Sequence, residues 1–155
     1  MAGTDLTVKM IPYEQDIVAW ANEQARLIRA GRFDLLDLEH IAEEIEDVGK
    51  SEQRAIVSHL SVLLAHLLKL CFQPKRRGNS WRRTIAAQRK EIHLEIRQTP
   101  SLQALINDPE WGDVIWSKAL AKAVDETGLE CFPDVCPWSL TEILDPEWLP
   151  EEREG

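Results

Sequence analysis

The chain has few of the residues that mark disulfide-rich, low-complexity or exported proteins. Its 155 residues include three cysteines, seven glycines and eight prolines, which indicates neither a disulfide framework nor a biased composition. The N-terminal residues lack a basic start followed by an apolar run, so no signal or transit peptide is indicated. The most apolar run, Leu60 to Phe72, is interrupted by His66 and Lys69 and is too short to cross a bilayer. We therefore expect a cytoplasmic protein with no membrane partner.

Motifs of familiar catalytic chemistry are also missing from the sequence. It contains no Gly-rich phosphate loop, no nucleophile elbow and no Ser/His/Asp arrangement. None of the four histidines is paired with another four residues away, as a helix-borne zinc site requires. A di-metal bundle site needs Glu-x-x-His on two helices, and the only near match is Asp37 with His40, three residues apart, so the motif is incomplete. We predict no catalytic residue, no cofactor and no metal ligand, and we expect a role other than catalysis.

A long helical segment, Asp37 to Phe72, dominates what is present. At 100° per residue, Leu38 and Ile56 are eighteen residues or five full turns apart, so the apolar stripes around them share one face. We therefore predict one continuous helix, with any bend at Gly49. A second helix start at Ser51 is the alternative.

The remaining periodicity is also helical. A first helix is expected to end at Gly31, another to run from about residue 81 to 98 with Ser80 as N-cap, and a third to begin at Asp108 and Pro109. The pattern predicts an all-α fold: an antiparallel helical bundle with a long central helix and a Trp- and Pro-rich C-terminal wrapping segment. We predict a single domain over residues 12–150, with flexible ends at 1–11 and 151–155.

Charge is distributed unevenly along the chain. The net charge is −9, yet residues 75–97 hold eight Lys/Arg and two Asp/Glu (+6), whereas residues 110–155 hold three and twelve (−9). These segments can compensate each other within the fold. The five cations Arg82, Arg83, Arg89, Lys90 and Arg97 are expected on a face of their helix away from its apolar stripe. Because phosphate binding needs uncompensated cations, nucleic acid is an unlikely partner, and binding through 75–97 is our third functional alternative.

Several ungapped blocks resemble one known family. They include YEQDIVAWANEQARLIRAGRF, LDLEHIAEEIEDVGKSEQRAI, FPDVCPWSL and ILDPEWLP, and together they run from Tyr13 to Pro150. This combination resembles the bacterial domain of unknown function 29 family. The resemblance implies an all-helical domain and implies no activity.

The polar residues at the edge of the apolar stripe are the candidate site. Glu52, His59 and His66 follow this edge at successive heptads, about 10.5 Å apart, so no two of them can hold one metal ion. A small pocket for an anionic ligand could instead combine His59, His66, Trp81, Arg82 and Gln88. The alternative is that each histidine is a hydrogen-bonded residue at the edge of the core.

The absence of a catalytic arrangement leads to our main functional hypothesis, a helical interaction or adaptor module with a protein partner or a homodimer. Leu64 and Leu68 lie off the main stripe, so they should bury against a further helix or against a partner. The second hypothesis is a metal- or small-ligand-binding bundle, including an enzyme, that uses the His59 and His66 edge.

Overall fold

A computed structural model describes residues 12–73 and 78–153, and within these residues the chain is helical with no β-strand. The helices are α1 (Ile17–Arg29), α2 (Leu38–Phe72), α3 (Asn79–Gln98), α4 (Leu102–Asn107), α5 (Pro109–Thr127) and α6 (Leu140–Leu144), with a 3₁₀ turn at Phe33–Leu35. The predicted all-α fold with a long central helix is confirmed. Residues 1–11, most of the predicted flexible ends, lie outside the described residues.

Local chemistry explains where most helices begin and end. The carboxylate of Asp16 caps α1 by accepting from the Ala19 N–H, and Asp108 caps α5 in the same way. Gly31 and Gly128 both have φ of 73°, the left-handed conformation that commonly closes a helix. These start and stop signals were readable in the sequence.

The central helix α2 continues through Gly49 without interruption. The single-helix prediction is therefore confirmed, and the alternative start at Ser51 is wrong. The start of α3 was mispredicted: Gly78 is its N-cap and makes no side-chain hydrogen bond, so Ser80 lies inside the helix. Residues 74–77, which follow α2, lie outside the described part of the chain.

The chain divides into two compact units, which we call the N-terminal unit (through residue 49) and the C-terminal unit (from residue 50). The predicted single domain over 12–150 stays a prediction. In the described part of the N-terminal unit, the buried residues are Trp20, Gln24 and Leu27. Ile17 and Ile28, two further apolar residues of α1, are about half exposed. This unit has a small core.

The C-terminal unit contains the main hydrophobic core. Its buried residues come from the second part of α2 and from α3 to α6, and they include Ile56, Leu60, Ile85, Ile92, Leu105, Ile115 and Ile143. Leu64 and Leu68 are also buried within this unit. They pack inside the chain, so the idea that they form a partner surface is wrong.

The C-terminal segment packs on this core, as predicted. Trp138 and Trp148 contact it and each other, with ring centroids 5.7 Å apart. Arg89 forms two hydrogen bonds to the backbone of this segment. Its Nε donates to the Ile143 carbonyl at 2.9 Å and its Nη2 to the Trp148 carbonyl at 2.8 Å. Arg89 is only 3% exposed, so its predicted place on a polar face of α3 is wrong.

The attachment of the C-terminal segment extends past residue 150. The Arg153 N–H donates to the Cys71 carbonyl at 2.7 Å, and the Cys71 thiol donates to the Glu151 carbonyl at 3.1 Å. Residues 154 and 155 lie outside the described part of the chain.

By length and composition alone, α2 is able to cross a membrane, which differs from our expectation that its apolar run is too short. The qualifying window of eighteen residues is 67% buried inside the protein. Burial of this kind is typical of the core helix of a globular unit.

Candidate functional site

His59 lies beside Glu95 of α3. Its Nδ1 is 2.6 Å from the Glu95 carboxylate, within ion-pair distance but without the alignment of a hydrogen bond. Burial raises the pKa of Glu95, the neighbouring carboxylates Glu91 and Glu52 raise it further, and His59 lowers it. The partner of His59 is thus a carboxylate on the facing helix.

His66 belongs to a different group of side chains. Its Nδ1 is 2.8 Å from the Val62 carbonyl of the preceding turn, and burial lowers its pKa. The charges of Lys69 and Glu126 also act on this histidine. The two predicted histidines therefore have separate surroundings.

Lys69 is the centre of that second group. Its ammonium is paired with the carboxylate of Glu126 on α5 and lies 5.7 Å from the centre of the Trp81 ring. The carboxylate and the ring face together stabilise a lysine that is almost fully buried. Trp81 therefore faces a cation that belongs to the chain itself.

The other two predicted site residues differ in exposure. Arg82 is exposed on α3. The side-chain oxygen of Gln88 is buried and has no hydrogen-bond partner among residues 12–73 and 78–153. Of the five predicted residues, His66 and Trp81 are brought to one group around Lys69, and His59 is held by Glu95. Ligand binding by these residues stays a prediction.

The described residues contain no group of three or more His, Cys, Asp or Glu side chains arranged to hold a metal ion. The Asp37 and His40 pair that resembled part of a metal motif forms hydrogen bonds instead. Its Asp37 carboxylate lies 2.7 Å from Nδ1 of His40 and accepts from the indole N–H of Trp20 at 3.0 Å. The backbone N–H of Asp37 donates to the side chain of Gln24 at 2.8 Å.

An aromatic ring completes this cluster in the N-terminal unit. Tyr13 stacks on the His40 ring with centroids 4.2 Å apart, and its hydroxyl bonds the carboxylate of Glu44. The Nε2 atom of His40 lies 3.2 Å from a carboxylate oxygen of Glu14. Because both ring nitrogens of His40 face carboxylate oxygens, the doubly protonated imidazolium is the form that satisfies both contacts.

The electrostatics of this cluster agree with its geometry. The hydrogen bond that the His40 ring donates to the Asp37 carboxylate raises the pKa of His40 and lowers the pKa of Asp37. The bond to Glu44 raises the pKa of Tyr13 to about 12. The cluster fixes the start of α2 against α1.

The most unusual surface of the N-terminal unit is apolar. Leu38, Ile45 and Val48 of α2 are exposed by 67%, 67% and 69%. They lie within about 80° of each other around the helix, so they share one stripe. Val18 and Phe33 are similarly exposed elsewhere in the same unit. We call Leu38, Ile45 and Val48 the exposed stripe.

The structural roles of Arg89, Tyr13 and the Asp37 and His40 pair were not predicted from the sequence. Arg89 is four residues after Ile85 and three before Ile92, which places it on the buried stripe of α3 rather than on its polar face. Tyr13 is the sole tyrosine of the chain. The Asp37 and His40 spacing was noticed, but only as an incomplete metal motif.

These observations define an all-α protein with a core built around one long helix, a C-terminal wrapping segment and an acidic N-terminal unit. The family model described as "Domain of unknown function DUF29" matches residues 12–149, and the chain belongs to this family. Searches of curated proteins and of solved structures found no match.

Proposed function

We propose that the protein is a helical interaction module of the cytoplasm and that its N-terminal unit binds a protein partner, with no role for membrane or nucleic acid. The observation that carries this proposal is the exposed stripe Leu38, Ile45 and Val48, each about two-thirds exposed. Full burial of one such side chain contributes about 1.5 to 3 kcal/mol, so covering the exposed two-thirds of all three contributes about 3 to 6 kcal/mol before the cost of association.

The charge around the stripe selects the kind of partner. Residues 12–49 contain ten Asp/Glu and three Lys/Arg, a net charge of −7. The five acids Glu39, Glu43, Glu44, Glu46 and Asp47 lie on the same part of α2 as the stripe. A basic amphipathic helix, with apolar residues on one face and Lys or Arg beside them, complements this surface.

The same charge disfavours a second copy of this chain as the partner. Two identical surfaces that each carry a net charge of −7 repel when they meet. A homodimer therefore requires another surface or a compensating geometry, and we favour a different protein.

The small core of the N-terminal unit supports the proposal independently. Three of its 38 described residues are buried, and chains of this size rarely reach a stable fold without further burial. A partner that covers the exposed stripe would stabilise α1 and the first part of α2 by mass action.

The proposal is tested with a synthetic probe, a 20-residue amphipathic helix with a leucine face flanked by lysines. We expect calorimetric titration to detect binding that weakens as salt rises, because the flanking charges are exposed. Ile45→Asn should weaken binding about tenfold or more, as the loss of one buried apolar side chain implies.

Three controls distinguish binding at the exposed stripe from nonspecific hydrophobic or electrostatic binding. Val135→Asn changes a residue of the C-terminal unit that is 76% exposed, and it should bind the probe as the unchanged protein does. A probe with the same lysines but serine in place of leucine, and a probe with glutamate in place of lysine, should each bind far more weakly. Equal binding of the serine probe, or no effect of Ile45→Asn, overturns the proposal. If light scattering shows a dimer that Ile45→Asn disrupts, the partner is a second copy of this chain and not a different protein.

A further inference from the structure

The C-terminal unit contains an apolar cavity of about 250 Å³ that is partly open to solvent beside Val135, which is 76% exposed. Helices α2, α4 and α5 and the C-terminal segment form its walls. The side chains that define its character are Leu60, Leu64, Ile106, Trp116, Trp138 and Ile143. None of the residues that carry the interaction proposal lines it.

Two polar groups of this wall already form hydrogen bonds within the protein. The indole N–H of Trp116 donates to the Pro133 carbonyl at 3.2 Å, and the thiol of Cys136 donates to the Trp138 carbonyl at 3.5 Å. The lining also includes Asp113, which is exposed. The cavity therefore offers mainly methyl groups and aromatic rings, and its one carboxylate disfavours an anionic ligand.

We propose that this cavity binds a small, neutral, apolar or aromatic molecule. An apolar cavity of about 150 Å³ is sufficient for benzene, so about 250 Å³ admits a substituted or bicyclic ring. The T-shaped pair of Trp116 and Trp138, with centroids 6.0 Å apart, supplies the ring faces and edges that aromatic molecules pack against. This site is in a different unit from the proposed partner surface and does not depend on it.

Two cysteines allow a direct test with p-xylene as the probe. Cys136 lines the cavity and is half-buried, whereas Cys131 is exposed and does not line it. Alkylation by iodoacetamide is followed at both sites by mass spectrometry. At p-xylene concentrations about five times the dissociation constant, mass action should slow alkylation of Cys136 about sixfold and leave Cys131 unchanged.

Gly112 provides a matched pair of variants. It lines the cavity, and a Cβ added there would meet no atom within 4 Å. Gly112→Ala should keep the p-xylene protection of Cys136, whereas Gly112→Leu adds a side chain that fills part of the cavity and should abolish it. Protection that survives in a folded Gly112→Leu variant overturns the proposal.

A second measurement on the unchanged protein covers the case in which the leucine variant fails to fold. Titration of p-xylene should shift the indole N–H signals of Trp116 and Trp138 in a nitrogen–proton NMR spectrum. Trp20, which bonds Asp37 in the N-terminal unit, is the internal control and should not shift. Equal alkylation rates with and without p-xylene, together with unshifted signals of Trp116 and Trp138, refute the site.

Discussion

Replacement of Arg89 by methionine should strongly destabilise the protein, because this residue holds the C-terminal segment. Its guanidinium is buried and donates to two carbonyls, those of Ile143 and Trp148. A hydrogen bond from a charged donor contributes about 1.5 to 3 kcal/mol, and methionine leaves both carbonyls without this donor. The apolar stem of methionine keeps part of the packing. We expect a loss of about 3 to 5 kcal/mol in the free energy of unfolding.

Urea denaturation followed by tryptophan fluorescence measures this loss. With a denaturant slope of about 1 to 3 kcal/mol per molar urea, the midpoint should fall by about 1 M or more. Trp148 lies in the segment that Arg89 holds, so limited proteolysis should also cut the variant faster on the C-terminal side of α5. Both readouts should change together, since they report release of the same segment.

Two related variants test whether the loss of stability comes from the hydrogen bonds that Arg89 donates to the C-terminal segment. Arg83→Met removes an exposed arginine from the same helix and should change stability by less than about 0.5 kcal/mol. Arg89→Lys keeps the charge but lacks the planar fork that reaches two acceptors, so it should fall between the other variants. If Arg89→Met costs no more than Arg83→Met, or if the tail remains protected from protease, then Arg89 does not hold the segment.

Three further predictions concern other contacts. The folded-state pKa of His40 is raised by Asp37, so its stabilising contribution is complete below the unfolded pKa of about 6.5 and is lost as pH rises through the folded value. The stability difference between the unchanged protein and His40→Gln should therefore shrink from pH 6 to pH 9 in thermal melts, and a gap that grows with pH contradicts the assignment. Ser139→Ala removes the capping box of α6 and should cost about 1 kcal/mol in urea denaturation, whereas a change below about 0.3 kcal/mol would show that the cap contributes little. Lys69→Met should be within about 1 kcal/mol of neutral because it removes the buried ammonium and leaves the Glu126 carboxylate, which is 44% exposed, in contact with water. Glu126→Ala leaves the buried ammonium unpaired and should be the more harmful change in the same assay, and the reverse order would contradict the pairing.

The fold class was predictable because helices leave strong local signals. The five-turn register between Leu38 and Ile56 predicted that α2 runs through Gly49, and the structure confirms it. The predictions at Gly31 and Asp108 are correct for the same reason, since each residue acts on backbone geometry within one turn. Signals of this kind need no knowledge of the rest of the chain.

The candidate site was less predictable because its residues meet through tertiary packing. Helical phase placed His59 and His66 on one edge, but His59 pairs with Glu95 of α3, whereas His66 contacts the Val62 carbonyl of its own helix. No spacing rule relates His59 and Glu95 along the chain. Lys69 was treated as an interruption of an apolar run, although a carboxylate and a tryptophan ring make its burial tolerable.

The exposed stripe shows that helical periodicity does not predict which part of an apolar face is buried. A period of 3.6 residues identifies which side chains of α2 share a face, and it treats Leu38 and Ile45 as equivalent to Ile56 and Leu60. The structure distinguishes them, because Ile56 and Leu60 are covered by the core whereas Leu38 and Ile45 are about two-thirds exposed. An apolar stripe that the described part of the chain leaves exposed is a common feature of interaction surfaces, and this is the basis of our proposal that a partner binds there. The carboxylates on the same part of α2 are the reason why we propose a partner that brings positive charge as well as apolar groups.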